Sequence, residues 1–332
     1  MAVASPSRRT SLHQPALALF AAIGSGWVFV LVTLGAFTTS IGAGMAFPDW
    51  PLSHGSINPE GWLRDISMFA EHSHRLTGMV MGLITIGLAA WLWLREERRW
   101  LRELGLYALA IVILQGVIGG QRVTLNAIPV PGFDMSLGEM LRIPHGVLAQ
   151  IYVCVLIAIA VALSRRWIER TAPIGPAVRG LGLVSCVLLF VQLAIAATMR
   201  HNAAGLAIPF FPYSTVDGHW LPAAWDFRVG IHFAHRAMAV VLAVALTLLA
   251  WAVRRDAAST MSMKAAASAL ISLLVLQILL GALVIQTGRN PHMTTGHVVV
   301  GALTLAVTFW ITWVAHRDRI EGAAPLATPS RA

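Results

Sequence analysis

The chain has 332 residues, 57% of them hydrophobic and only 12% charged, with a mean hydropathy of +0.71. That balance excludes an ordinary soluble domain. The formal net charge of +9 needs no nucleic-acid partner, because the basic residues gather in segments that would lie beside membrane lipid.

Eight apolar runs are long enough to span a bilayer: 16–46, 67–94, 101–120, 143–163, 178–198, 229–253, 265–286 and 294–315. The first is too long for the apolar region of a signal peptide and has no evident small-residue cleavage site, so it reads as a retained span. Basic residues cluster at alternate ends of the runs: Arg8 and Arg9, then "REERRWLRE", "SRRWIER", "RRD" with Lys264, and "HRDR". The other loops carry scattered arginines such as Arg64, Arg122 and Arg289. The positive-inside rule therefore predicts a multi-pass protein of the cytoplasmic (inner) membrane with both termini in the cytoplasm. Cys154 and Cys186 fall within apolar runs, so no disulfide framework is expected.

The chain also repeats itself. "AGMAFPDWP" at 43–51 matches "AGLAIPFFP" at 204–212, about 161 residues on, and "HSHRLTGMV" matches "FAHRAMAVV" at the same offset. "LQGVIG" at 114–119 matches "LQILLG" at 276–281, and "PHGVLAQ" matches "GHVVVGA" more loosely. Four matches in one order imply duplication of a four-span unit. An even number of spans gives both copies the same orientation, which makes the repeat parallel. The expected fold is an all-α membrane protein of eight transmembrane helices in two four-helix bundles, at 16–170 and 176–317.

Each half places one histidine near the outer end of its second span, His74 and His235, and another near that of its fourth, His145 and His297. At 1.5 Å rise per residue, His74 lies roughly 10 Å inside its helix. The second and fourth spans run parallel, so their histidines share a depth. Two imidazoles facing each other across a bundle are the ligand set of a b-type haem. Zinc suits the pattern less well, since neither half offers a third ligand at that depth. Arg75 and Arg236 directly follow the second-span histidines, where a guanidinium could meet a haem propionate.

The E-x-x-H-R motif at 71–75, the paired histidines of both halves and the "PDWP" segment resemble the haem A synthase family over roughly 24–317. Members convert haem O to haem A for cytochrome oxidase, oxidising a ring methyl group to a formyl group. The resemblance implies substrate haem O (and product haem A) in the N-terminal half at His74 and His145, and a permanent haem b in the C-terminal half at His235 and His297. It implies Glu71 as the catalytic group. It also implies haem O synthase and oxidase assembly factors as partners beside membrane lipid, with a homo-oligomer left open.

An asymmetry between the halves supports that division independently. Glu71 and His74 are three residues apart and share a helix face, whereas the second half carries His232 in place of the acid. A carboxylate beside a haem can move protons. Bacterial members of the family commonly carry a cysteine pair in the first outer loop, where this chain has Phe47 and Ser53, so no loop disulfide can relay electrons. His72 points away from the Glu71–His74 face, and His54, His201 and His219 read as outer-loop residues. Two alternatives stay open at this level: a di-haem b cytochrome that only transfers electrons, and a haem-binding assembly factor without catalysis. The electron acceptor is not legible.

Overall fold

The computed structural model describes residues 13–169 and 172–322; Arg8 and Arg9, on which part of the predicted orientation rests, lie outside them. Apolar runs become helices because lipid offers no partner to backbone amides, so each span must bond to itself. Among the described residues eight helices are long and apolar enough to cross a membrane: α1 (Pro15–Ser40), α2 (Ile66–Arg95), α3 (Arg99–Thr124), α4 (Leu137–Ala162), α5 (Pro176–His201), α6 (Phe227–Arg255), α7 (Met261–Gln286) and α8 (Pro291–Ala315).

The helix ends are set by capping chemistry, and here the boundaries differ from expectation. The first span stops at Ser40 rather than at 46, because Gly42 takes a left-handed conformation (φ +74°) that terminates the helix. α3 continues to Thr124, so Arg122 is a helical residue of its last turn. α4 starts early, where Ser136 and Glu139 form a reciprocal capping box. α5 runs through to His201, which places that histidine on a helix instead of in a loop. Asp65 caps α2, Asp226 caps α6, Thr260 caps α7 and Asn290 caps α8, each accepting bonds from first-turn amides.

α1 and α3 each pack against both α2 and α4, closing one four-helix bundle; α5 and α7 do the same with α6 and α8. The bundles meet where α8 packs on α1 and α4, and α4 on α5. The end of each bundle beside the short connections is filled with apolar side chains. Leu88, Leu92, Leu101, Leu156 and Ile159 fill the first; Leu246, Leu249, Val253, Met263 and Leu270 fill the second. Against lipid such burial gains little from the hydrophobic effect, so polar ties count for more. One tie crosses between the bundles at this end. Glu321 accepts from Arg98 Nη1 at 3.0 Å and from Trp167 Nε1 at 2.6 Å, and Arg317 Nε donates to the Trp167 carbonyl at 2.8 Å. The histidines lie toward the opposite end, under the long loops 41–65 and 202–226.

Candidate functional site

Because α1 ends at Ser40, the chain that follows turns at Gly42 and runs back over α2. Its Ala46 and Phe47 amides donate to Glu71 Oε2 at 2.7 and 3.3 Å. Glu71 Oε1 takes Arg75 Nη2 at 2.6 Å, and the Glu71 residue is only 3% exposed. Arg75 Nη2 also reaches the carbonyl of Phe47 (3.2 Å), and Nη1 reaches those of Asp49 (2.8 Å) and Leu52 (2.7 Å). Asp49 in turn accepts from the His54 and Gly55 amides. Burial acts to raise the Asp49 pKa, but those amides and the Arg75 charge hold the carboxyl below its ordinary value. The first loop is thus clamped to the acid and arginine of the E-x-x-H-R motif.

The second half repeats the clamp. Arg236 donates to the carbonyls of Ile208 (2.9 Å), Phe210 (2.7 Å) and Tyr213 (3.1 Å), the positions that match Phe47, Asp49 and Leu52 in the repeat. His232 takes the place of Glu71: its Nδ1 lies 3.1 Å from the Ile208 amide and its Nε2 lies 3.3 Å from Arg236 Nε. A neutral imidazole accepts at one nitrogen only, so one of these contacts goes unmade at any moment. The second clamp therefore lacks the negative charge that the first one has.

The four ligand candidates are half-buried inside the bundles. His74 Nδ1 lies 3.2 Å from the Leu31 carbonyl, and His297 Nδ1 lies 3.1 Å from that of Gln277. A carbonyl only accepts, so both rings carry their proton on Nδ1 and keep the lone pair on Nε2, which in His297 accepts from Gln277 Nε2 at 3.4 Å. That is the usual outer-sphere arrangement of a metal-bound histidine. The Nδ1 atoms of His145 and His235 are buried and without a partner. Gln115 and Gln192 hold the backbone carbonyls of those two residues, each at 3.0 Å.

The rings of His235 and His297 lie 6.3 Å apart, centre to centre. Two metal–imidazole bonds of about 2 Å on opposite sides of one ion place ring centres roughly 6 Å apart, so this pair fits a shared iron. In the first half, His74 and His145 are within electrostatic range of each other, with Arg122 near both and His201 near His145.

Glycines on neighbouring helices make room for three of these rings. A Cβ at Gly35 would come within 2.7 Å of the His74 ring, at Gly281 within 3.1 Å of His297, and at Gly119 within 3.3 Å of His145. Sequence reasoning assigned these glycines no role, although Gly119 and Gly281 close the repeated "LQGVIG" and "LQILLG" segments. The other histidines lie elsewhere. His72 turns into the first loop against Ser53 Oγ (3.0 Å), Phe47 and Trp62. The His54 ring packs on Phe47, and the His219 amide bonds to Thr215 within the second long loop. In Arg75 the Nη donors, and in Arg236 both Nη atoms and Nε, are engaged within the loop clamps.

Comparison with known proteins adds a family to this geometry. A family model described as cytochrome oxidase assembly protein, of the COX15-CtaA type, matches residues 18–309. The relatives include a protein named Heme A synthase from Shouchella clausii, 26% identical over 85% of this chain and 90% of that protein. Proteins of the same name from Listeria monocytogenes (24% identical, 87% of this chain, 92% of the relative) and Halalkalibacterium halodurans (24%, 91% and 98%) match equally broadly.

Proposed function

The chain belongs to the COX15-CtaA family of cytochrome oxidase assembly proteins, and from that membership we propose that it is a heme A synthase. It is a membrane oxidoreductase that converts haem O to haem A, taking a ring methyl group to a formyl group for use in cytochrome oxidase. The observation that carries the residue-level reading is the pair of histidines in each bundle, of which only the first has an acid, Glu71, one helical turn from its second-span histidine. Neither an electron-transfer cytochrome nor an inert haem carrier needs that acid.

On this reading His74 and His145 bind the substrate haem O, and His235 and His297 hold a haem b. The haem b, when bound, supplies one-electron chemistry. The protonated Nδ1 atoms of His74 and His297, fixed by the Leu31 and Gln277 carbonyls, keep each Nε2 directed as a ligand. Glu71 is the proton-handling group of the first half. Its Oε2 is kept in place by the Ala46 and Phe47 amides, while Oε1 can accept a proton once the Arg75 contact opens. Arg75 and Arg236 act by holding the long loops over the two sites, with Phe47 fully buried beneath the first loop. The absence of a loop cysteine pair leaves electron exit to the second half. A haem O synthase handing over substrate and an oxidase assembly factor receiving product are the partners of this reading. Expression in cells that make haem O but lack their own heme A synthase should restore haem A-dependent oxidase activity, and failure at normal protein levels would count against it.

The same reading places the long loops outside the cytoplasmic membrane and the basic connections inside. Reporter fusions after Arg98 and after Arg255 are expected to score as cytoplasmic, and fusions within 41–65 as external. An external score at Arg98 or Arg255 would overturn this orientation.

A further inference from the structure

With Arg75 and Arg236 committed to loop carbonyls, the carboxylates of a bound porphyrin need other partners. Two half-buried arginines at the long-loop end have donors left over. Arg122, in the last turn of α3, makes a single hydrogen bond, from Nη2 to the Gly44 carbonyl at 2.9 Å. Arg200, in the last turn of α5, uses Nη2 on the Ala36 carbonyl (3.1 Å) and Ser40 Oγ (2.9 Å). Among the described residues neither pairs with a carboxylate, and each leaves Nε and Nη1 without an acceptor. The acid that acts on Arg122 electrostatically is Glu71, which is already bonded to Arg75 and two amides. A guanidinium held this way within a membrane protein is costly until an anion answers it. The two arginines divide by half: Arg122 lies within electrostatic range of His74 and His145, and Arg200 within range of His297.

Resting on the two-haem reading above, we propose that Arg122 and Arg200 are the carboxylate-binding groups of the two sites. Arg122 takes a propionate of the porphyrin between His74 and His145, and Arg200 takes one of the porphyrin between His235 and His297. The free Nε–Nη1 edge is the planar fork that receives a carboxylate in two parallel bonds. The arginines are not repeat-equivalent. Arg122 stands on the third helix of its bundle and Arg200 on the first helix of its own, so the carboxylate is met from a different side in each half.

The test compares iron protoporphyrin IX with its dimethyl ester, which has the same ring but no carboxylate charge. Full-length protein produced under haem limitation is titrated with each, and the low-spin band is followed. The wild type should hold the free acid about tenfold or more tightly than the diester, as expected for losing hydrogen bonds to a charged group. In a His74→Ala background, where the second histidine pair remains, Arg200→Gln should abolish that preference and Arg200→Lys should keep part of it. In a His297→Ala background Arg122→Gln should do the same for the first pair. Equal binding of acid and diester by the wild type, or a preference that survives the Gln substitutions, would overturn the assignment. Failure of the wild type to bind either porphyrin would overturn the two-haem reading itself, and this assignment with it.

Discussion

Replacing Glu71 with Gln is expected to leave a folded protein that keeps the proposed haem b yet loses haem A formation by about a hundredfold or more, the usual scale for removing a general acid–base group. Gln retains a carbonyl oxygen for the Ala46 and Phe47 amides and gives up only the acceptor that faces Arg75, which still holds three loop carbonyls, so the first loop should stay closed. What it cannot do is exchange a proton. That separates chemistry from architecture, because Glu71 also clamps the loop. Ala would leave the two loop amides without their acceptor, at about 1–3 kcal/mol for each buried group, and so confound the two roles. Pigment extracted from cells with matched protein levels decides the question. Haem A within a few-fold of wild type would mean that Glu71 serves only to hold the loop.

The second large effect concerns the C-terminal pair. On the proposed assignment, His235→Ala or His297→Ala should remove a low-spin b-type spectrum from the purified protein, because one iron would take both imidazoles, whose ring centres lie 6.3 Å apart. His74→Ala or His145→Ala should leave that spectrum in place and abolish haem A formation instead. Reduced-minus-oxidised spectra of the four variants test the division. An unchanged spectrum in the His235 and His297 variants would refute it.

The number of spans and the level of the four histidines were legible because both follow from run length and helical register. The ends of the spans were not. Arg122, Arg200 and His201 lower the hydropathy of the last turns of α3 and α5, yet the helices continue through them, because buried backbone still needs its own bonds. Arg122 and His201 therefore read as loop residues until packing turned them toward the histidines. The loop contacts of Arg75 and Arg236 were hidden for a related reason. An arginine beside a candidate haem ligand suggests a propionate, but a loop returning over the helix brings three carbonyls into competition. The exchange of Glu71 for His232 was plain in the sequence, whereas its consequence, a second loop held by a ring without negative charge, needed the Ile208 amide and Arg236 in place. The glycines behind His74, His145 and His297 carried a signal in principle, since two of them recur in the repeat, but nothing in their sequence named the ring they face.

Mass analysis of the haem extracted from cells tests the central claim most directly, in a host that makes haem O and has no heme A synthase of its own. Cells expressing this chain should yield haem A, the product in which the ring methyl has become a formyl group, while cells with the empty vector yield haem O alone. Haem O without haem A, in cells where the chain is present in the membrane at normal levels, would contradict the account.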